Sequence, residues 1–334
     1  AGKEGPSAQI GAGIASMFAG LFGFSPEDRK KLVICGISAG FAVVFGTPIA
    51  GAIFGVEVLV IGGLMYEVLL PSLISGITAC QFSRVLGMSH STYSSLSVPP
   101  FSEWFFVEVV FAGVFFGLCS FLLIEVMTKM QKFSRSIKLW SPYKGLIGGS
   151  FLVLLALTFS RKYLGLGLDT IHAALIGLPV DLYAFAVKIL ATSVTLSFGG
   201  SGGILTPILF IGATAGSLLG QLTGADTALF AAIGMVSLVA GATNAPIAAS
   251  IMAIELFGPT VAPYACVACI VSFLMTGHRS VFPSQIIAVS KSPVLRIDPG
   301  IEVESIDRRK ESVDKIIAGS ISKINQCCRR AFGR

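Results

Sequence analysis

The chain is a succession of apolar runs separated by short polar breaks. Taken in order, the runs Ile10 to Phe24, Leu32 to Phe45, Pro48 to Met65, Glu67 to Leu86, Phe105 to Met127, Tyr143 to Phe159, Leu182 to Phe198, Ile208 to Gly220, Thr227 to Ala242, Pro246 to Phe257 and Val261 to Gly277 each predict an apolar helix. A bilayer needs about 20 apolar residues to be crossed by one helix, so Ile10 to Phe24 predicts a half-helix that stops part-way. The breaks are polar or glycine-rich: Ser25 to Lys31 as a turn at the interface, His90 to Ser102 as a loop before the aromatic anchor Trp104, the basic segment Lys129 to Lys138, and the irregular stretch Arg161 to Asp181.

One break differs in kind. Gly199-Gly200-Ser201-Gly202-Gly203-Ile204-Leu205-Thr206-Pro207 frees the backbone to present N–H groups and then places a proline where a helix begins without losing a needed donor. The unpaired N–H groups and positive dipole end of such a helix form an anion site. Within a bilayer, irregular backbone of this kind survives only buried in protein or lining a cavity.

A second copy stands at the start of the chain. Gly2-Lys3-Glu4-Gly5-Pro6 runs into Ile10-Gly11-Ala12-Gly13 as Gly203 to Pro207 runs into Ile211-Gly212-Ala213. Further on, Thr47-Pro48 to Glu57 parallels Ala245-Pro246 to Glu255, with nine residues from proline to glutamate in both copies. Corresponding Gly/Pro-broken segments in two halves point to a site at the midplane between repeats. The expected organisation is therefore a membrane domain over residues 1–290, with the second part of a first repeat in 1–140 and a second repeat in 141–290. A basic tail follows over 291–334.

Composition settles the class and removes others. The 334 residues are 54% hydrophobic and 13% charged, against about 25% charged in soluble domains, and the mean hydropathy is +0.83. The chain reads as an all-α polytopic membrane protein. Its net charge of +6 carries no aromatic-basic interleaving, so nucleic acid is not an expected partner. Seven cysteines, mostly within apolar segments, read as small buried packers, including the Cys266/Cys269 pair. His90, His172 and His278 show no metal or haem spacing, and neither a metal nor a cofactor is expected. Gly2-Lys3 is followed by Glu4 where a phosphate loop needs Ser or Thr for Mg²⁺, so no nucleotide enzyme is implied. The tail carries ten Lys/Arg against six acids, with Val313, Ile316, Ile317, Ile321 and Ile324 on one helical face. Basic excess beside the last span places the C-terminus in the cytoplasm. Cys327-Cys328 reads as part of an ordinary basic tail.

The GKEGP run at residues 2–6, the GGILTP run at 202–207 and the two Pro…Glu helices together resemble the CLC family of chloride channels and proton-coupled chloride transporters. The resemblance covers nearly the whole chain. Because the first residues already belong to the motif, the chain is expected to be an N-terminally truncated fragment. The resemblance implies an inverted repeat of broken transmembrane helices around a central anion. It also implies a homodimer with one pore per subunit, whose interface uses the Pro48 to Leu86 and Pro246 to Gly277 helices. An integral protein of the plasma (inner) membrane is expected, with chloride or a similar anion, protons and the lipid bilayer as its partners.

Residue by residue, the resemblance makes Glu4 the gate. Its carboxylate at a helix N-terminus mimics the permeating anion, and protonation lets it leave. Lys3, Gly5, Gly203, Ile204 and Leu205 match anion-binding positions, the last two through their backbone amides. Leu205 stands where the family usually has Phe. Phe282 takes the place of the pore tyrosine, keeping the ring without the hydrogen-bond donor. Val58 occupies the inner proton-transfer position, where an apolar side chain relays nothing, and Glu57 beside it reads as structural, like Glu255. The serine loop that completes the family's central site lies upstream of Ala1, leaving chloride, nitrate and fluoride open. The expected function is permeation of chloride or a similar small monovalent anion through a pore gated by Glu4. The alternative is a proton-coupled antiporter of chloride or fluoride.

Overall fold

The computed structural model describes residues 2–88, 93, 96–100, 102–291 and 300–305. Among them are twelve α-helices: α1 (Glu4–Leu21), α2 (Pro26–Phe45), α3 (Pro48–Glu57), α4 (Tyr66–Val85), α5 (Glu103–Ser136), α6 (Ser141–Thr158), α7 (Leu168–Leu175), α8 (Ala184–Ser197), α9 (Leu205–Thr223), α10 (Thr227–Thr243), α11 (Pro246–Phe257) and α12 (Ala262–Thr276). Four helices (α4, α5, α6 and α9) are long and apolar enough to cross a membrane. His90, the amphipathic stretch from Val313 and Cys327-Cys328 lie outside the described residues.

The internal repeat is visible in the packing. Helix α1 lies on α2, and α2 on both α3 and α4; likewise α9 lies on α10, and α10 on both α11 and α12. The same small residues permit both close approaches. A Cβ on Gly11 or Gly36 would overlap the facing backbone across α1/α2, and one on Gly212 or Gly234 would do so across α9/α10. Without a hydrophobic drive between helices in lipid, such backbone proximity is what holds them together. Most of the main core lies in the second copy, joined by side chains of α2, α3 and α5. Every residue from Leu229 to Thr243 of α10 is buried, as a helix apolar on all sides should be. By contrast, α6 buries only Gly148 and Leu155.

Several expected breaks prove to be helix. Ser25 is the N-cap of α2, its Oγ accepting from Asp28 N at 3.2 Å, so Pro26 to Lys31 forms the first turns of that helix rather than a loop. The basic segment after Met127 continues α5 to Ser136. The stretch Arg161 to Asp181 contains a 3-10 turn at Arg161–Tyr163 and all of α7. In the other direction, α3 stops at Glu57 instead of running to Met65. The chain then forms β1 (Val60–Ile61), which pairs in parallel with β2 (Ile286–Ile287); β2 in turn pairs antiparallel with β3 (Ile301–Glu302). Ile61, Ile287 and Val303 make a small buried cluster there.

Candidate functional site

The two glycine-rich motifs meet. Gly2 N donates to Gly203 O at 2.6 Å and Gly203 N donates to Gly2 O at 2.7 Å, an isolated antiparallel bridge that sets the first turn of α1 against the first turn of α9. Glycine is required by proximity. A Cβ on Gly203 would stand 2.8 Å from Gly5 N, and one on Gly2 would overlap the Glu4 carboxylate.

This pairing delivers Glu4 to the other helix. Glu4 opens α1, yet its side chain reaches α9 and is 2% exposed. Oε2 accepts from Thr206 N at 3.2 Å, and Oε1 accepts from the Thr206 hydroxyl. The first N–H groups of a helix have no partner within it, so this carboxylate occupies the seat the α9 N-terminus offers an anion. Ile204 is the N-cap of α9 and Leu205 its first residue, both buried, with Gly203 one residue before and Gly5 against it. Lys3 is the N-cap of α1 and is exposed.

A second carboxylate arrangement joins the halves, and sequence reasoning missed its form. Glu57, at the end of α3, accepts from Ile247 N at 3.0 Å and Ala248 N at 2.8 Å in the first turn of α11. Glu255, near the end of α11, accepts from Ile49 N at 3.0 Å and Ala50 N at 2.8 Å in the first turn of α3. Each glutamate caps the other copy's helix. The signal was present in the equal Pro-to-Glu spacing: proline marks a helix start with unpaired N–H groups, and an acid one helix-length away in an antiparallel twin can serve them.

Val58 and Phe282, the two remaining predicted positions, lie in segments that Gln285 and the end of α10 tie together. Val58 is the C-cap of α3 and 7% exposed. Its carbonyl accepts from Gln285 Nε2 at 2.5 Å, which also donates to Thr243 O at 2.7 Å. Asn244, in the left-handed conformation that ends α10 (φ 59°), donates to Gln285 Oε1 and to Arg279 O, both at 3.0 Å. Phe282 lies in the same segment, packed against the main core, with its N–H on Ser280 Oγ at 3.0 Å. Lys291, the first residue of the expected tail, sends its ammonium to Asn244 Oδ1 at 2.5 Å and Phe273 O at 2.8 Å, so it belongs to this knot of helix C-termini.

A model described as voltage gated chloride channel matches residues 1–277. The chain belongs to the CLC family of voltage gated chloride channels. It is thereby a polytopic membrane protein, and its paired half-repeats are those of a CLC fold. A chloride/fluoride channel protein of Pseudomonas syringae pv. tomato (strain ATCC BAA-871 / DC3000) is 37% identical over 297 residues, covering 87% of this chain and 66% of the relative. The voltage-gated ClC-type chloride channel ClcB of Escherichia coli (strain SMS-3-5 / SECEC) is 32% identical, covering 83% of this chain and 69% of the relative. The chain thus spans about two thirds of the length of these CLC relatives. A solved CLC-type fluoride/proton antiporter superposes with a TM-score of 0.83 at 30% identity, covering 86% of this chain and 73% of that one. A slow cyanobacterial Cl⁻/H⁺ antiporter gives 0.69 at 25% identity, covering 83% and 68%.

Proposed function

We propose that this protein moves a small monovalent anion, chloride or fluoride, across a membrane through a pore gated by Glu4. The observation that carries the reading is the Glu4 carboxylate seated on the N-terminus of α9. A group that fits a negative charge there is exchangeable for another negative charge of similar size. When the carboxylate leaves, Thr206 N and its neighbours face the vacated position, and a halide takes it. Gly203, Ile204 and Leu205 supply the backbone of that seat, and Gly5 keeps α1 close enough to close it. Lys3 adds positive potential at its approach. Phe282 supplies an aromatic ring to the anion path, and Val58 stands as an apolar residue at the inner proton-transfer position. This is permeation rather than enzymatic turnover, with the ion itself as the bound species and no cofactor.

A proton-coupled exchange is the second reading. It is favoured by the identity of the gate, since a carboxylate leaves an anion seat most readily as the neutral acid, so each departure takes up a proton. The names of the two solved relatives point the same way. Val58 places no acid beside Glu57 on the inner side, so protons would pass there by water rather than by a side chain. We further propose a homodimer in the plasma membrane, joined through α3, α4, α11 and α12, with the C-terminus in the cytoplasm. Exposed apolar side chains on these helices, including Leu70, Ile74, Ile254, Ile270 and Leu274, fit that surface.

The test is flux from liposomes containing the reconstituted protein, with halide efflux and external pH recorded together under a clamped potential, beside Glu4→Gln. Halide movement with protons at a fixed ratio, the protons lost in Glu4→Gln, is the result for an exchanger. Halide movement with no proton movement is the result for a channel. Movement of neither chloride nor fluoride would overturn the proposed function.

A further inference from the structure

Lys188 lies in the middle of α8 and is 1% exposed, in a helix of otherwise apolar and hydroxyl side chains. Its ammonium donates to Gly165 O at 2.7 Å and Tyr163 O at 3.2 Å, and stands 4.7 Å from the centre of the Phe210 ring. Its partners are two carbonyls and an aromatic face; no carboxylate of a described residue forms an ion pair with it. Asp181, the acid of the neighbouring segment, is taken by Lys162 at 2.6 Å and by the Tyr163 hydroxyl. A lysine buried in a membrane protein without a counter-ion is costly, and such residues mark ion pathways.

The surroundings are built to admit it. Phe210 and Tyr163 are fully buried and meet edge to face. The chain turns at Gly167 with φ +74°, where a Cβ would stand 2.6 Å from the Phe210 ring and 3.6 Å from the ammonium. Phe210 belongs to α9, the helix whose N-terminus holds the Glu4 carboxylate. It is four residues past Thr206, about 6 Å along the helix axis. Allowing for the phenylalanine side chain, the ammonium lies on the order of 12 Å from that seat. Two unit charges about 12 Å apart at an effective dielectric of about 20 change an equilibrium constant about tenfold.

We propose that Lys188 is a fixed cation of the anion site, a charge behind α9 that strengthens halide binding at the helix N-terminus without touching the halide. This rests on the reading of that N-terminus as an anion seat. The dipole of α9 and the lysine then act in the same direction: the dipole gives local geometry, and the lysine gives longer-range potential that favours a net negative occupant. The two carbonyls hold the ammonium in place and lower the cost of burying it, without cancelling its charge.

The experiment is isothermal titration of the purified full chain in detergent with sodium fluoride and sodium chloride, each variant also being followed by thermal melting. Lys188→Gln keeps an amide NH2 donor for the carbonyls and Lys188→Met keeps the length of the side chain; both remove the charge and should weaken halide binding about tenfold. Lys188→Arg keeps the charge and should bind within about twofold of wild type. Wild-type affinity in the Gln or Met variant, or an equal loss in the Arg variant, overturns the proposal. If only the Arg variant folds, the lysine is a folding residue and the proposal is likewise overturned. If the wild type itself binds neither halide, the anion-seat reading fails and takes this inference with it.

Discussion

Two carboxylate sites in this molecule use the same physics and differ in how completely they are satisfied. At the α3/α11 crossing, Glu57 and Glu255 each accept two backbone N–H groups at 2.8 and 3.0 Å from the opposite helix. At the α1/α9 meeting, Glu4 accepts one backbone N–H at 3.2 Å and a hydroxyl, both from Thr206. The first arrangement is symmetric and closed, with every strong donor of each helix start facing a carboxylate built into its twin. The second is one-sided among the described residues: α9 receives Glu4, and α1 has in return the glycine bridge to Gly203 just before α9. A helix N-terminus served by a reciprocal pair is a lock, whereas one served by a single acid is, on the proposed function, a seat that another anion takes.

The largest effect should come from opening the lock. Glu57→Ala or Glu255→Ala leaves two backbone N–H groups at a helix start without their carboxylate acceptor, and charge-assisted bonds of this type contribute about 1.5–3 kcal/mol each. Each variant should lose about 3 kcal/mol of stability, measured by thermal melting in detergent. The double variant should lose less than twice that, because the two caps brace one crossing. A Glu57 variant with wild-type melting and altered transport would break the contrast, moving Glu57 from the lock to the pathway.

A smaller effect sharpens the other side. Thr206→Val removes the hydroxyl that holds Glu4 and keeps the backbone N–H that would hold an anion. Freed from one bond, the carboxylate should compete less well, and halide binding should tighten about threefold to tenfold, read by titration calorimetry. Unchanged affinity would mean that the hydroxyl does not hold the gate. Folding should be nearly unaffected, since α9 is fixed along its length by α10 through Gly212 and Gly216.

Much of this was legible in the sequence. The paired Gly/Pro breaks located both motifs, and the repeated proline-to-glutamate spacing located both crossing helices, because glycine and proline report backbone requirements directly. Helix boundaries were less legible. Charged residues from Glu27 to Lys31 suggested a loop, yet Ser25 caps a helix that carries its polar first turns outside the apolar run. The short strands at Val60–Ile61 and Ile286–Ile287 were hidden, since two-residue pairing leaves no period to read. The mutual capping by Glu57 and Glu255 needed the antiparallel crossing of α3 and α11, which no local pattern specifies. The same holds for the knot of Gln285, Asn244 and Lys291: its donors come from separate segments and meet only because three helices end at one place.

On the proposed function, Glu4 sits where the transported anion sits. The most direct measurement is a crystal structure of Glu4→Gln grown in sodium bromide, with bromide located by its anomalous scattering. A bromide is expected within hydrogen-bond distance of Thr206 N, in the space the Glu4 carboxylate occupies. Bromide bound elsewhere in the membrane domain, with the α9 N-terminus closed over the glutamine, would contradict it.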